Sequence, residues 1–243
     1  MDNEVVQMTS RIEKNLYSIW FMILAIVAAA CLITANTVAV KLVFILGFVI
    51  PGGALVYPIT FIVDDIITEV YGYHSARLVI WFGLLANLIF VIVSMIVLWL
   101  PVAPYWDAQE AYARILGYTP RLLAAAFLSY LVGSFANAIV MSRLKVITNG
   151  RSLWVRAVSS TFVGQGLDSF IFVTVAYVGT VTSIQLWSII VTVWFTKVLL
   201  EVLLIPFTYA SVYKLKQIEG KDVYDHGINY TPFGLGRVQN SRK

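Results

Sequence analysis

Apolar runs long enough to cross a lipid bilayer recur from residue 17 to residue 213. They constrain this chain more than any motif does. A helix needs roughly 20 predominantly apolar residues to span the hydrocarbon core. Inside that core every backbone donor and acceptor must find a partner within the protein, and a helix does this within one segment. Six such runs stand out, at about 17–36, 54–72, 78–100, 121–141, 157–179 and 185–212. Composition agrees, with 60% of residues hydrophobic and 12% charged, about half the charge of a soluble domain. The expected fold class is therefore an all-α, multi-pass integral membrane protein of six transmembrane helices. Residues 1–16 would form an N-terminal cytoplasmic segment, 17–215 the membrane domain and 216–243 a cytoplasmic C-terminal tail.

Orientation follows from the lysines and arginines. With the N-terminus inside, thirteen of them fall on the cytoplasmic side, among them Arg77, Arg143, Lys145, Arg156 and Lys216. Only Arg114 and Arg121 fall on the other side, so the positive-inside rule expects both termini in the cytoplasm. The net charge of +4 comes from basic residues that lie mostly beside spans, and no nucleic-acid partner is expected. The single cysteine, Cys31, permits no internal disulfide.

Two stretches between the runs have structure of their own. In the long external loop, punctuated by Pro101, Pro104, Gly117 and Pro120, "DAQEAYARIL" could hold a short helix. Residues 38–53, "VAVKLVFILGFVIPGG", are too short for a span, contain Lys41 and end at Pro51-Gly52-Gly53. A hairpin or re-entrant segment after the first helix is expected there, walling the outer half of a cavity.

Ionisable residues at span depth are costly, so each is a functional candidate. Here they are Lys41, Asp64, Asp65, Glu69, Asp168, Lys197 and Glu201. Asp65 and Glu69 are four apart and share one helix face, while Asp64 points about 100° away. Pro58 removes a backbone donor and frees a carbonyl one turn earlier, which predicts a kink or interruption. Asp64 and Glu69 also lie close enough to Arg77 to be simply solvated or paired at the interface, whereas Asp65 is deeper. In "SSTFVGQGLDSF", Thr161, Gln165 and Asp168 form one stripe, and Gly164 and Gly166 permit close helix approach or simple packing. Asp168 has no local cation and needs a proton or a partner on another helix. Lys197 and Glu201, four apart, could pair with each other, or Lys197 could reach across to Asp65 or Asp168.

Enzymatic signatures are missing. There is no phosphate-binding loop, no HExxH and no nucleophile elbow. "GQGLD" departs by one residue from the Gly-x-Gly-Asp pattern of intramembrane aspartyl proteases. Two scattered histidines and one cysteine suggest no metal site. No catalytic residue, metal or cofactor is expected.

Four stretches resemble the queuosine-precursor transporters of bacteria and archaea, a family once described by vitamin uptake. They are "TANTVAVK", "PGGALVYPITFIVDDIITEVYGYHSAR", "SSTFVGQGLDSFIF" and "FTKVLLEVLLIPF", and the resemblance covers roughly residues 17–215. It implies uptake of 7-cyano- or 7-aminomethyl-7-deazaguanine through the inner membrane, for salvage into tRNA modification. A guanine-like edge presents its N1–H and amino group side by side, and one carboxylate accepts both. On this resemblance Asp65 or Asp168 reads the base edge, with Asn36, Thr161 and Gln165 on the remaining polar groups. Tyr57, Phe61, Phe162 and Trp194 are the candidates to stack on the ring. Glu69 offers a second carboxylate for the aminomethyl cation or a proton, and Lys197 balances charge in the empty site. The competing reading is the vitamin-binding membrane subunit of an energy-coupled importer, which would need an external ATPase. Small residues in "AAAFLSYLVGSFANA" could form a homodimer face or pack internally.

Overall fold

The computed structural model describes residues 18–45, 48–117 and 120–233. Five of its helices are long and apolar enough to cross a membrane. The first, α1 (Ile19–Val38), starts at Ser18, whose hydroxyl accepts a hydrogen bond from the Phe21 amide at 3.2 Å. An antiparallel hairpin follows, β1 (Leu42–Ile45) paired with β2 (Phe48–Pro51), so the expected segment after the first helix is a two-stranded ribbon. A 3₁₀ turn at Gly52–Leu55 leads into α2 (Tyr57–Trp99). Beyond it come the short α3 (Gln109–Leu116), within the stretch expected to be helical, then α4 (Pro120–Ile147), α5 (Leu153–Tyr177) and α6 (Ser183–Glu219).

α2 would be about 65 Å long if straight, twice the hydrocarbon thickness. It is not straight. Gly72 has φ 81° and ψ 173°, outside helical space, and divides the element into two arms. Ile67 and Thr68 before the break line one small cavity with Ala76, Val79 and Ile80 after it, so the arms fold back beside each other. The runs expected at 54–72 and 78–100 are these two arms. The kink predicted from Pro58 is not at Pro58. That proline lies in the first turn of α2, where a helix does not use its missing N–H.

The backbone at Gly72 is nearly exclusive to glycine. A Cβ there would also sit 2.8 Å from Val223 Cγ1 and 3.0 Å from Asp225 Oδ1. Gly72→Ala is expected to cost about 1–3 kcal/mol, read as a lower unfolding midpoint in detergent.

α4 and α5 pack closely through glycine. A Cβ on Gly133 would meet Asp168 Cβ at 2.7 Å, and one on Gly164 would meet the Gly133 carbonyl oxygen at 2.9 Å. Small residues of the fourth apolar run thus serve helix packing inside the chain. The apolar core gathers around the elbow of α2, with Ile67, Val70, Tyr73, Ala138 and Met141 among its buried members. Large apolar residues such as Trp99, Ile184, Leu203 and Phe207 are exposed on the outside. Water would not tolerate so much apolar surface, and lipid does.

The chain direction gives the bundle two ends. One carries the hairpin, the end of α1 and the starts of α4 and α6. The other, the basic end, carries the α2 elbow, Lys145, Arg156 and Lys216.

Candidate functional site

Tyr57, Phe61, Asp65 and Glu69 recur every four residues, so they form one stripe down the first arm of α2. Opposite lies α6, with Lys197, Glu201 and Lys216 on the side that meets this stripe. α5 adds Asp168 and Arg156. Together they make a polar column with three levels.

The level nearest the hairpin end is an ion pair. Lys197 Nζ donates to Asp168 Oδ2 at 2.5 Å and lies 5.2 Å from the centre of the Tyr57 ring. Tyr57 stacks on Phe61, with centroids 6.0 Å apart. The cation that the sequence leaves unassigned for Asp168 is therefore Lys197, and the Lys197–Glu201 pairing does not form. Asp168 projects from the neighbouring helix α5 within reach of the Lys197 ammonium.

The middle level has no cation. Asp65, 1% exposed, and Glu201, fully buried, bring their carboxyl groups together. Asp65 Oδ2 and both Glu201 oxygens are buried and accept no hydrogen bond. Asp64 turns to the other side of the helix. There it lines a cavity of about 20 Å³, room for about one water, together with Thr68, Tyr130, Ser134 and Asn137.

The third level is a buried charge cluster at the basic end. Glu69 Oε1 accepts from Arg156 Nη2 at 2.9 Å and from Lys216 Nζ at 2.7 Å, and Lys145 Nζ lies 3.6 Å away. Asp222, beyond the end of α6, accepts from Lys145 at 2.5 Å and pairs with Lys216 at 2.8 Å. Burial raises the Asp222 carboxyl, but the two ammonium donors outweigh it and hold it below the usual carboxylate range. Glu69 thus sits among three cations and away from the unpaired carboxyls.

The chain after α6 folds back over the elbow. Asp225 Oδ2 accepts from the Tyr73 amide at 2.8 Å, the first free donor of the second α2 arm, and from Ser142 Oγ at 2.6 Å. Tyr73 donates its hydroxyl to the Tyr230 carbonyl at 3.0 Å, Arg77 donates to that of Thr231 at 3.0 Å, and Trp81 to that of Pro232 at 2.9 Å. Arg143 lies 4.8 Å from the centre of the Tyr230 ring. Where the sequence suggests only a tail beyond 215, residues 222–232 form a strap over the elbow. The paired acids in "DVYDHGINY" are its one sequence signal. Lys145, Arg156 and Lys216, orientation signals in the sequence, are also the partners of Glu69.

The remaining candidates lie elsewhere. Gln165 and Thr161, one and two turns before Asp168, are half-buried and buried, and neither bonds to the Lys197–Asp168 pair. Trp194 donates to the Phe162 carbonyl at 2.8 Å and packs over Gly166, a glycine whose Cβ would meet the indole at 3.0 Å. Asn36 donates to Asn87 Oδ1 at 3.3 Å, and both line a cavity of about 360 Å³ at the hairpin end, with Arg114, Phe127 and Tyr177. That volume is within the range of small-molecule pockets. No group of three or more histidine, cysteine, aspartate or glutamate side chains among the described residues could hold a metal ion.

A multi-pass helical membrane protein with its ionisable residues gathered on an internal axis has the build of a solute carrier. Residues 51–211, more than half of the chain, match the family described as "Putative vitamin uptake transporter", and the chain belongs to it. It is 28% identical over 180 residues to a probable queuosine precursor transporter of Bacillus subtilis (strain 168), covering 74% of this chain and 79% of that protein. A queuosine precursor transporter of Escherichia coli (strain K12) is 27% identical over 146 residues, covering 60% of this chain and 63% of that one. No solved structure matches.

Proposed function

We propose that this protein imports queuosine precursors, 7-cyano- and 7-aminomethyl-7-deazaguanine, across the inner membrane. In this reading the two arms of α2 cross separately, giving six crossings, and the basic end with both termini faces the cytoplasm. The observation that carries the substrate assignment is the Asp65 carboxyl: buried at mid-bundle, without a cation, and followed along its helix face by the stacked rings of Phe61 and Tyr57, one and two turns away. A carboxylate so placed accepts the N1–H and amino group of the base together, and a base without those donors leaves it unpaired, which costs heavily in a dry site. The rings supply a stacking surface. Lys197 and Asp168 stand at the hairpin-end approach, and the cavity at Asn36 serves as an entry vestibule. Thr161 and Gln165, on the α5 stripe that leads to Asp168, would border the path, and Glu69 anchors its inner end. The solute is carried chemically unchanged.

Thermal stabilisation of the purified protein by added ligands tests the substrate class. A ligand at a hundred times its dissociation constant adds about 2.7 kcal/mol to the folded state. Stabilisation by the deazaguanines and not by riboflavin is expected. Stabilisation by riboflavin alone, with ATPase subunits co-purifying, would transfer the assignment to a vitamin-binding importer subunit.

A further inference from the structure

The carboxyl pair at the middle level poses a charge problem that no side chain solves. The nearest other acids on α2 are Asp64, on the other side of the helix, and Glu69, one turn away and already committed to Arg156, Lys145 and Lys216. Cys31 of α1 and Tyr130 of α4 adjoin Asp64. On α6 itself, Lys197 is one turn away from Glu201 but is bonded to Asp168 of α5. Among the described residues, no lysine or arginine is paired with Asp65 or Glu201. Two adjoining carboxyls withdrawn from water cannot both be ionised, because each raises the cost of the other's charge. Between them they must hold a proton.

Base recognition then dictates where that proton lies. To accept two N–H groups, Asp65 must be a carboxylate with both oxygens free of hydrogen. Resting on the assignment of Asp65 to the base edge, we propose that Glu201 is a positioning residue. Protonated, it donates to Asp65 and holds that carboxylate ionised and oriented for the substrate. Glu201 does not touch the base. The proton stays on a Glu201 oxygen while Asp65 accepts the two donors of the base, so no bond of the substrate is made or broken.

The consequence is a pH profile with a distinguishable origin. When the pair loses its proton, two carboxylates face each other and binding fails on the alkaline side. Glu201→Gln keeps a donor beside Asp65 and cannot lose it, so that limb should move to higher pH. Glu201→Ala removes the donor altogether.

The test is binding of 7-cyano-7-deazaguanine to purified wild type, Glu201→Gln and Glu201→Ala as a function of pH, with infrared spectra of the same samples. At neutral pH, Glu201→Gln should bind within a few-fold of wild type and Glu201→Ala at least about tenfold more weakly. The alkaline limb should shift upward in Glu201→Gln only. The infrared band of a protonated carboxyl, present in wild type without ligand, should vanish in Glu201→Gln. An unshifted limb in Glu201→Gln, wild-type affinity in Glu201→Ala, or no such band in wild type overturns the proposal. The band is read without substrate, so it decides the shared proton even if no deazaguanine binds, a result that would instead count against the proposed substrate.

Discussion

Replacing Glu69 with alanine is expected to cost about 3–5 kcal/mol of stability, the penalty of removing one member of a buried ion pair. The local count makes the size credible. Lys145, Arg156 and Lys216 face two acids, Glu69 and Asp222. Without Glu69 the three cations face Asp222 alone. Arg156 and Lys145 are 1% and 2% exposed, so water cannot take over the missing role. A sharply lower unfolding midpoint in detergent should result, and loss of uptake should follow from loss of folded protein. Normal melting with uptake abolished would instead return Glu69 to the substrate site, where the sequence reading first placed it.

Asp65→Asn is expected to reduce uptake at least about a hundredfold while inserting normally. The asparagine amide presents a donor where the base also presents one, so the paired acceptor is lost and a repulsive contact replaces it. Asp168→Asn should abolish uptake too, by a different route. It strips Lys197 of its partner at a site where the lysine side chain is only 10% exposed, so the cation must move or lose its charge. The two variants separate in a ligand-binding measurement with a Lys197→Met, Asp168→Asn double variant. That double variant removes both charges and should recover binding, whereas no change at Lys197 should rescue Asp65→Asn. Wild-type uptake in both single variants would end the assignment.

The span pattern was legible because hydrocarbon length and hydropathy suffice to place long apolar runs. The hairpin was legible from the short valine- and isoleucine-rich stretch ending at Pro51-Gly52-Gly53. The break in α2 was misplaced, since proline in a first turn is silent while a glycine's φ is not written in its neighbours. Asp65 and Glu69 were seen to share a face, but their fates diverged through residues far along the chain. Arg156 and Lys216 claim one, Glu201 the other. Pairing between helices depends on rotation and depth, which is why Lys197 is open to Glu201, Asp65 or Asp168 in the sequence and only the packing of α6 on α5 puts it on Asp168. The strap depends on backbone carbonyls of Tyr230, Thr231 and Pro232, and carbonyls carry no sequence signal at all.

The most direct measurement is uptake of labelled 7-cyano-7-deazaguanine into vesicles reconstituted with the purified protein, with the recovered compound identified chemically. Saturable accumulation of the unchanged compound, lost in Asp65→Asn and competed by 7-aminomethyl-7-deazaguanine, is the expected result. Uptake no faster than in protein-free vesicles, from protein that still melts cooperatively, would contradict it.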